Sequence, residues 1–179
     1  MHKAELVLDV RDLVTQVATQ EGPKTIVDRV SFQVKAGETL CIAGESGSGK
    51  SITSLSIMGL LPSGAKVTQG EILLNGHDLL KLDETAMQDV RGGDVAMIFQ
   101  EPMTSLNPIM TIGAQLTEAI GVHHRIRGSA ARRRALDALD AVRMSESTRR
   151  LTQYPHELSG GMRQRVMIAM ALVGNPKVV

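Results

Sequence analysis

Gly44-Glu45-Ser46-Gly47-Ser48-Gly49-Lys50-Ser51 decides how this chain is read. It fits the pattern G-x-x-x-x-G-K-[ST], and each residue type in it has a chemical reason. Gly44, Gly47 and Gly49 free the backbone to turn successive N–H groups inward, making a nest for phosphate oxygens. A helix starting behind the loop adds partial positive charge at its N-terminus. Lys50 reaches the β- and γ-phosphates as a point charge, the Ser51 hydroxyl is a ligand for Mg²⁺, and Ile52 carries the loop into the helix. The guanine-specific Asn-Lys-x-Asp pattern is absent, which favours ATP over GTP.

Outward from the loop, the pattern alternates strand and helix signals. Leu6–Val10 and Val30–Val34 read as strands, with a loop or hairpin turn from Thr15 to Lys24. Thr39–Ala43 and Val95–Phe99 are short apolar runs of the kind that form buried strands. Ser51–Leu61 predicts a helix closed by Pro62 and Gly64, and Glu71–Gly76 a strand running into a turn. Asp83 is a good N-cap for a short helix to about Val90. Helices are also predicted over Thr111–Ile126, over Ser129–Met144 with Ala135, Leu136, Leu139 and Val142 on one face, and from Ser159-Gly160-Gly161 to Val173.

Leu158-Ser159-Gly160-Gly161-Met162-Arg163-Gln164 repeats the physics of the phosphate loop: a hydroxyl, two glycines and a helix N-terminus. Taken alone it also reads as a plain N-cap with a glycine turn. With Gly44–Ser51 and with Gln100 after Ile98-Phe99, the chain resembles the ATP-binding subunit of an ABC transporter. Gly44–Ser51 matches the Walker A loop, Gln100 the Q-loop glutamine and Leu158–Gln164 the signature motif. Glu101–Pro108 and Tyr154-Pro155-His156-Glu157 are similar to the oligopeptide, dipeptide and glutathione importer branch, in which Met162 also has parallels.

The resemblance implies an α/β P-loop NTPase fold of ABC type. A mixed β core with an N-terminal antiparallel part (1–100) would be followed by a Q-loop and helical subdomain (101–158) and a signature helix (159–179). Two such domains would pair head to tail, so that Ser159, Gly160, Gly161 and Met162 face the ATP of the partner subunit. Gln100 would help hold Mg²⁺ and the attacking water, making Gln100 and Lys50 the catalytic candidates. Further implied partners are transmembrane permease subunits and, indirectly, a periplasmic or extracellular solute-binding protein. The expected location is peripheral, on the cytoplasmic side of the cell membrane.

Two departures qualify this. The family stacks adenine on an aromatic near Val17, but none occurs before Phe32. The Walker B strand with its metal-holding Asp and water-polarising Glu would fall past Val179, so the chain is expected to be C-terminally incomplete and to hydrolyse ATP poorly. A soluble ABC ATPase of DNA repair or translation, and a non-hydrolysing nucleotide-binding fragment, are the alternatives.

Composition excludes other classes. The 179 residues are 42% hydrophobic and 22% charged with net charge +1, which provides no electrostatic footprint for nucleic acid. With no Trp, one Tyr and two Phe there is little to stack bases on. The single Cys41 rules out an internal disulfide framework, points to a reducing compartment, and is expected to pack as a small apolar residue. No window approaches a transmembrane helix. His123-His124, adjacent and so on different helix faces, are expected in solvent, as is the Arg132-Arg133-Arg134 run.

Overall fold

The computed structural model describes residues 5–100 and 105–179, which divide into two compact units at Gln88/Asp89. The first unit is an antiparallel sheet with one helix against it. Strands β1 (Leu6–Thr19), β2 (Gly22–Lys35), β3 (Ala65–Leu74) and β4 (His77–Asp78) lie in the order β2-β1-β3-β4. Central β1 carries the core: Leu8, Val10, Leu13 and Val14 are buried on it, opposite Ile72 and Leu74 of β3. Helix α1 (Lys50–Ile57) is tied to this strand through a buried hydrogen bond between Thr15 Oγ1 and Ser56 Oγ, 2.9 Å.

The predicted loop from Thr15 to Lys24 is instead mostly strand. β1 and β2 are 14 residues each and pair through Thr19↔Gly22. Register shifts near Asp12 and Arg29, both at positive φ, let the long hairpin keep its apolar side inward while polar residues interrupt the alternation. Asn75-Gly76 (φ 48° and 82°) makes the tight turn that the sequence suggested after β3. Helix α1 ends earlier than expected because Gly59 turns left-handed (φ 61°).

The two apolar runs are corrected. Residues 39–43 form no strand; Leu40 and Ile42 are exposed, and so is Cys41, which therefore does not pack as a core residue. In 95–99 only Val95 pairs, through parallel bridges to Arg91 and Val178, while Ile98 and Phe99 are exposed. A fully buried strand is defined by neighbours on both sides, and a run's own residues do not supply them.

The second unit is helical. α2 (Glu84–Val90) crosses the boundary and is capped as expected, Asp83 Oδ1 accepting from Ala86 N at 2.8 Å. Helices α3 (Ile112–His124), α4 (Gly128–Ala141), the short α5 (Ser147–Arg150) and α6 (Gly160–Leu172) follow. Ile112, Leu116 and Ile120 of α3 meet Ala131, Ala135 and Leu139 of α4 and Val166 and Ala169 of α6 in one core, the i/i+4 spacing that the sequence showed. Leu136 and Val142 pack partly against it, as do Met162 and Met170, while Met167 is buried in it. No helix among the described residues is long and apolar enough to cross a membrane.

The end of α3 differs from expectation. Neither His123 nor His124 is fully exposed. The His123 ring lies over the Gly92 turn so closely that a Cβ on Gly92 would sit 2.5 Å from His123 Nε2. His124 Nε2 meets the Val173 carbonyl at 2.6 Å. Adjacent helical side chains diverge, and here each side of the helix end has its own neighbour.

Burial, reinforced by the neighbouring His124, holds His123 below its ordinary pKa of 6.5. Above that pH the ring is neutral in both folded and unfolded chains. As pH falls through 6.5 the unfolded chain takes a proton that the folded chain refuses, so stability drops on acidification. Urea midpoints at pH 7.5 and 5.5 should therefore differ less for His123→Asn than for the native chain; equal losses would contradict this.

Candidate functional site

The Gly44–Ser51 loop has the backbone that its glycines imply. Gly47 and Gly49 adopt φ of 81° and 90°, and Gly49 is the N-cap of α1. The first intrahelical bond runs from Thr53 N to the Gly49 carbonyl, 2.8 Å, so the amides of Lys50, Ser51 and Ile52 have no carbonyl inside the helix to donate to. No acidic residue occupies that first turn. Those three donors and the helix dipole therefore present positive potential at one spot.

The glycines are needed for different reasons. A Cβ on Gly47 would meet nothing, so its requirement is conformational. A Cβ on Gly49 would sit 2.9 Å from the Ile26 carbonyl oxygen and 3.4 Å from Val27 Cγ2. Here β2 forms a wall under the loop, which short-range sequence reading missed because Ile26 and Val27 look like ordinary strand residues. A Cβ on Gly44 would lie 2.7 Å from Ser48 Oγ and 3.9 Å from Lys50 Nζ, inside the concavity itself.

Lys50 is folded back over the loop. Its ammonium donates to the Gly44 carbonyl (2.8 Å), the Glu45 carbonyl (2.6 Å) and Ser48 Oγ (3.2 Å), all exposed to solvent. Ser46 and Ser51 are exposed and Ile52 is half-buried. The loop thus gathers a lysine ammonium, the helix-start amides and a hydroxyl, Ser51, donors of the kind that an anion takes. That donor set suits a phosphate-bound Mg²⁺, which takes few protein ligands and completes its shell with phosphate oxygens and water. No cluster of three or more His, Cys, Asp or Glu able to hold a metal by itself occurs among the described residues.

The other candidates lie in the second unit. Gln100 is exposed at a bend directly after Phe99. Ser159 caps α6, its hydroxyl accepting from Met162 N at 3.4 Å. Gly160 and Gly161 are exposed, neither has positive φ, and a Cβ on either would meet nothing within 4 Å. The turn ahead of them is braced by Glu157, whose carboxylate accepts from Tyr154 N at 2.7 Å, while the Tyr154 and His156 rings stack 5.7 Å apart. His156 thus packs on Tyr154 within the turn ahead of α6. Of the importer-like stretch 101–108, residues 101–104 lie outside the described residues; Gln115 Nε2 donates to the Asn107 carbonyl and its Oε1 accepts from Asn107 N, both 2.9 Å. Val17, where an adenine-stacking aromatic would be expected, pairs with Lys24 and Ala65 in the sheet.

Comparison with known proteins agrees with this geometry. Residues 27–179 match the ABC transporter family. A probable peptide ABC transporter ATP-binding protein, y4tR of Sinorhizobium fredii, is 51% identical over 99% of this chain and 53% of its own length. The dipeptide transport ATP-binding protein DppD of Bacillus subtilis is 49% identical over 98% of this chain and 52% of its own. This chain therefore spans about half the length of these relatives. Among solved structures, the dimeric post-hydrolysis state of the ATP-binding cassette MJ0796 bound to ADP and Pi superposes with a TM-score of 0.82 at 29% identity, covering 94% of this chain and 70% of that one. Motifs, fold and relatives converge: the chain belongs to the ABC transporter family.

Proposed function

We propose that this chain is the nucleotide-binding part of an ATP-driven importer of peptides or similar small solutes. The observation that carries the reading is the pair Gly160-Gly161. Two glycines in the exposed first turn of a helix cost about 1 kcal/mol each relative to Ala. Neither the backbone angles nor internal space demands them there. Glycine at such a place lets something outside the chain approach the backbone closely, and a helix N-terminus attracts phosphate. A second ATP-loaded copy, or a paralogue, is the partner that this fits, consistent with the dimeric cassette to which the chain is similar.

In this reading Lys50, the loop amides and the amides of α1 bind the triphosphate, and Ser51 offers its hydroxyl to Mg²⁺. Gln100 and, toward a partner copy, Ser159 are the further nucleotide-facing groups. The names of the relatives support a peptide solute, and a position on the cytoplasmic face of a membrane beside permease subunits follows from the same reading. The 179 residues contain no run of four apolar residues followed by Asp-Glu, the metal and water ligands that the resemblance calls for. Binding without appreciable turnover is therefore expected of this chain by itself, since phosphoryl transfer depends on charge stabilisation and water positioning.

Thermal unfolding with and without Mg²⁺-ATP tests the binding. Ligand at about 100 times its dissociation constant stabilises by about 2.7 kcal/mol, a shift of several degrees. Phosphate release is followed in the same samples. A melting temperature indifferent to ATP would overturn the reading, and turnover matching that of full-length family members would overturn the expectation of binding without turnover.

A further inference from the structure

The C-terminus of α6 is held in an unusual way. The Val173 carbonyl, one of the acceptors that a helix end leaves unpaired, receives His124 Nε2 at 2.6 Å and Arg134 Nη2 at 3.4 Å. A carbonyl has no proton to give, so the His124 nitrogen carries it, and α3 and α4 both donate to the same atom. Asn175 N closes the end by donating to the Leu172 carbonyl, 2.9 Å.

The next residue is pressed against another turn. A Cβ on Gly174 would lie 1.6 Å from the Gly92 carbonyl oxygen, so only glycine allows this approach. The His123 ring lies against the Cα of the same Gly92, where a Cβ would meet it. Beyond it, Lys177 N donates to the Asp94 carbonyl at 2.8 Å and Ala96 N to the Val178 carbonyl at 2.9 Å. The segment fastened in this way runs on to Gln100 four residues later.

We propose that His123 and His124 are positioning residues, clamping the tail of α6 and the Gly92 turn together so that Ser159 and Gln100 keep one fixed relation. The functional sense rests on the reading of Ser159 and Gln100 as nucleotide-facing groups. Leverage explains why a bond so far from Ser159 matters. With 13 residues, α6 is about 20 Å long, and a tilt of about 10° at its tail moves its N-terminus by about 3 Å. Displacements of even 1 Å are costly where groups must meet a nucleotide in defined geometry. The arrangement also explains why α3 ends where it does, with Arg125 left-handed (φ 55°) immediately after the two histidines.

The test is a distance measurement on the chain itself, with Cys41→Ser and spin labels at Gln100→Cys and Gln164→Cys, the latter exposed at the start of the second turn of α6. Two variants of His124 differ by one methylene. Gln places an amide N–H where Nε2 stands, whereas Asn falls short of the Val173 carbonyl. The native chain and His124→Gln should share one narrow distance distribution. His124→Asn should move or widen it by about 2–4 Å, as the lever predicts. Should the Asn variant fail to fold by circular dichroism, Gly174→Ala takes its place, because its Cβ forces the tail off the Gly92 carbonyl. An unshifted distance in the folded variant, or equal shifts in Asn and Gln, overturns the proposal. No nucleotide is needed, so failure of ATP binding by the Gly44–Ser51 loop is scored separately by thermal shift and leaves this result independent.

Discussion

Lys50→Ala should weaken ATP binding by roughly 10- to 150-fold while leaving the fold intact. The ammonium is a side-chain cation bonded within the loop, held by two carbonyls and a hydroxyl. A hydrogen bond to a charged group contributes about 1.5–3 kcal/mol, and each 1.4 kcal/mol is tenfold in affinity. The three acceptors it leaves are exposed and return to water, so the melting temperature without nucleotide should stay close to native. Titration with a fluorescent ATP analogue measures the loss, and AMP, which lacks the phosphates that Lys50 addresses, serves as the control. Native-like ATP affinity in the Ala variant would remove Lys50 from the site.

The second large effect separates two glycines that look alike in sequence. Gly49→Ala should destabilise the chain by about 1–3 kcal/mol, because alanine at φ 90° is strained. Its Cβ would also press on the Ile26 carbonyl at 2.9 Å, so the loop must leave the wall of β2 and ATP binding should fall with it. Gly161→Ala should do the reverse to stability. Its Cβ enters open space at a helical φ, and alanine gains up to about 1 kcal/mol over glycine in a helix. What Gly161→Ala should lose is ATP-dependent association with a partner copy. Urea melts of the two variants decide the matter: destabilisation in both would mean that Gly161 serves the fold, and unchanged stability of Gly49→Ala would mean that neither the left-handed φ nor the β2 wall constrains Gly49.

Much of this was legible before any coordinates. The loop, the caps at Asp83 and Ser159, the Asn75-Gly76 turn and the α3, α4 and α6 faces each depend on a few consecutive residues. Pattern reading fared worse where the deciding neighbours are distant. Thr39–Ala43 and Val95–Phe99 have strand composition, yet the first forms no strand and the second only a single bridged position. Composition states a preference, but a ladder needs a partner at the right distance.

The sequence by itself determined the chemistry on offer: a lysine, a hydroxyl and glycine-freed amides at two helix starts, because φ limits and capping are local properties of the chain. Only the tertiary structure decided what those glycines meet and where the histidines go. Gly49 faces β2 and Gly161 faces open space; His123 sits on Gly92 and His124 on Val173. Residues from 22 to 49 positions apart make these contacts, and such encounters follow from packing the elements together rather than from any local preference.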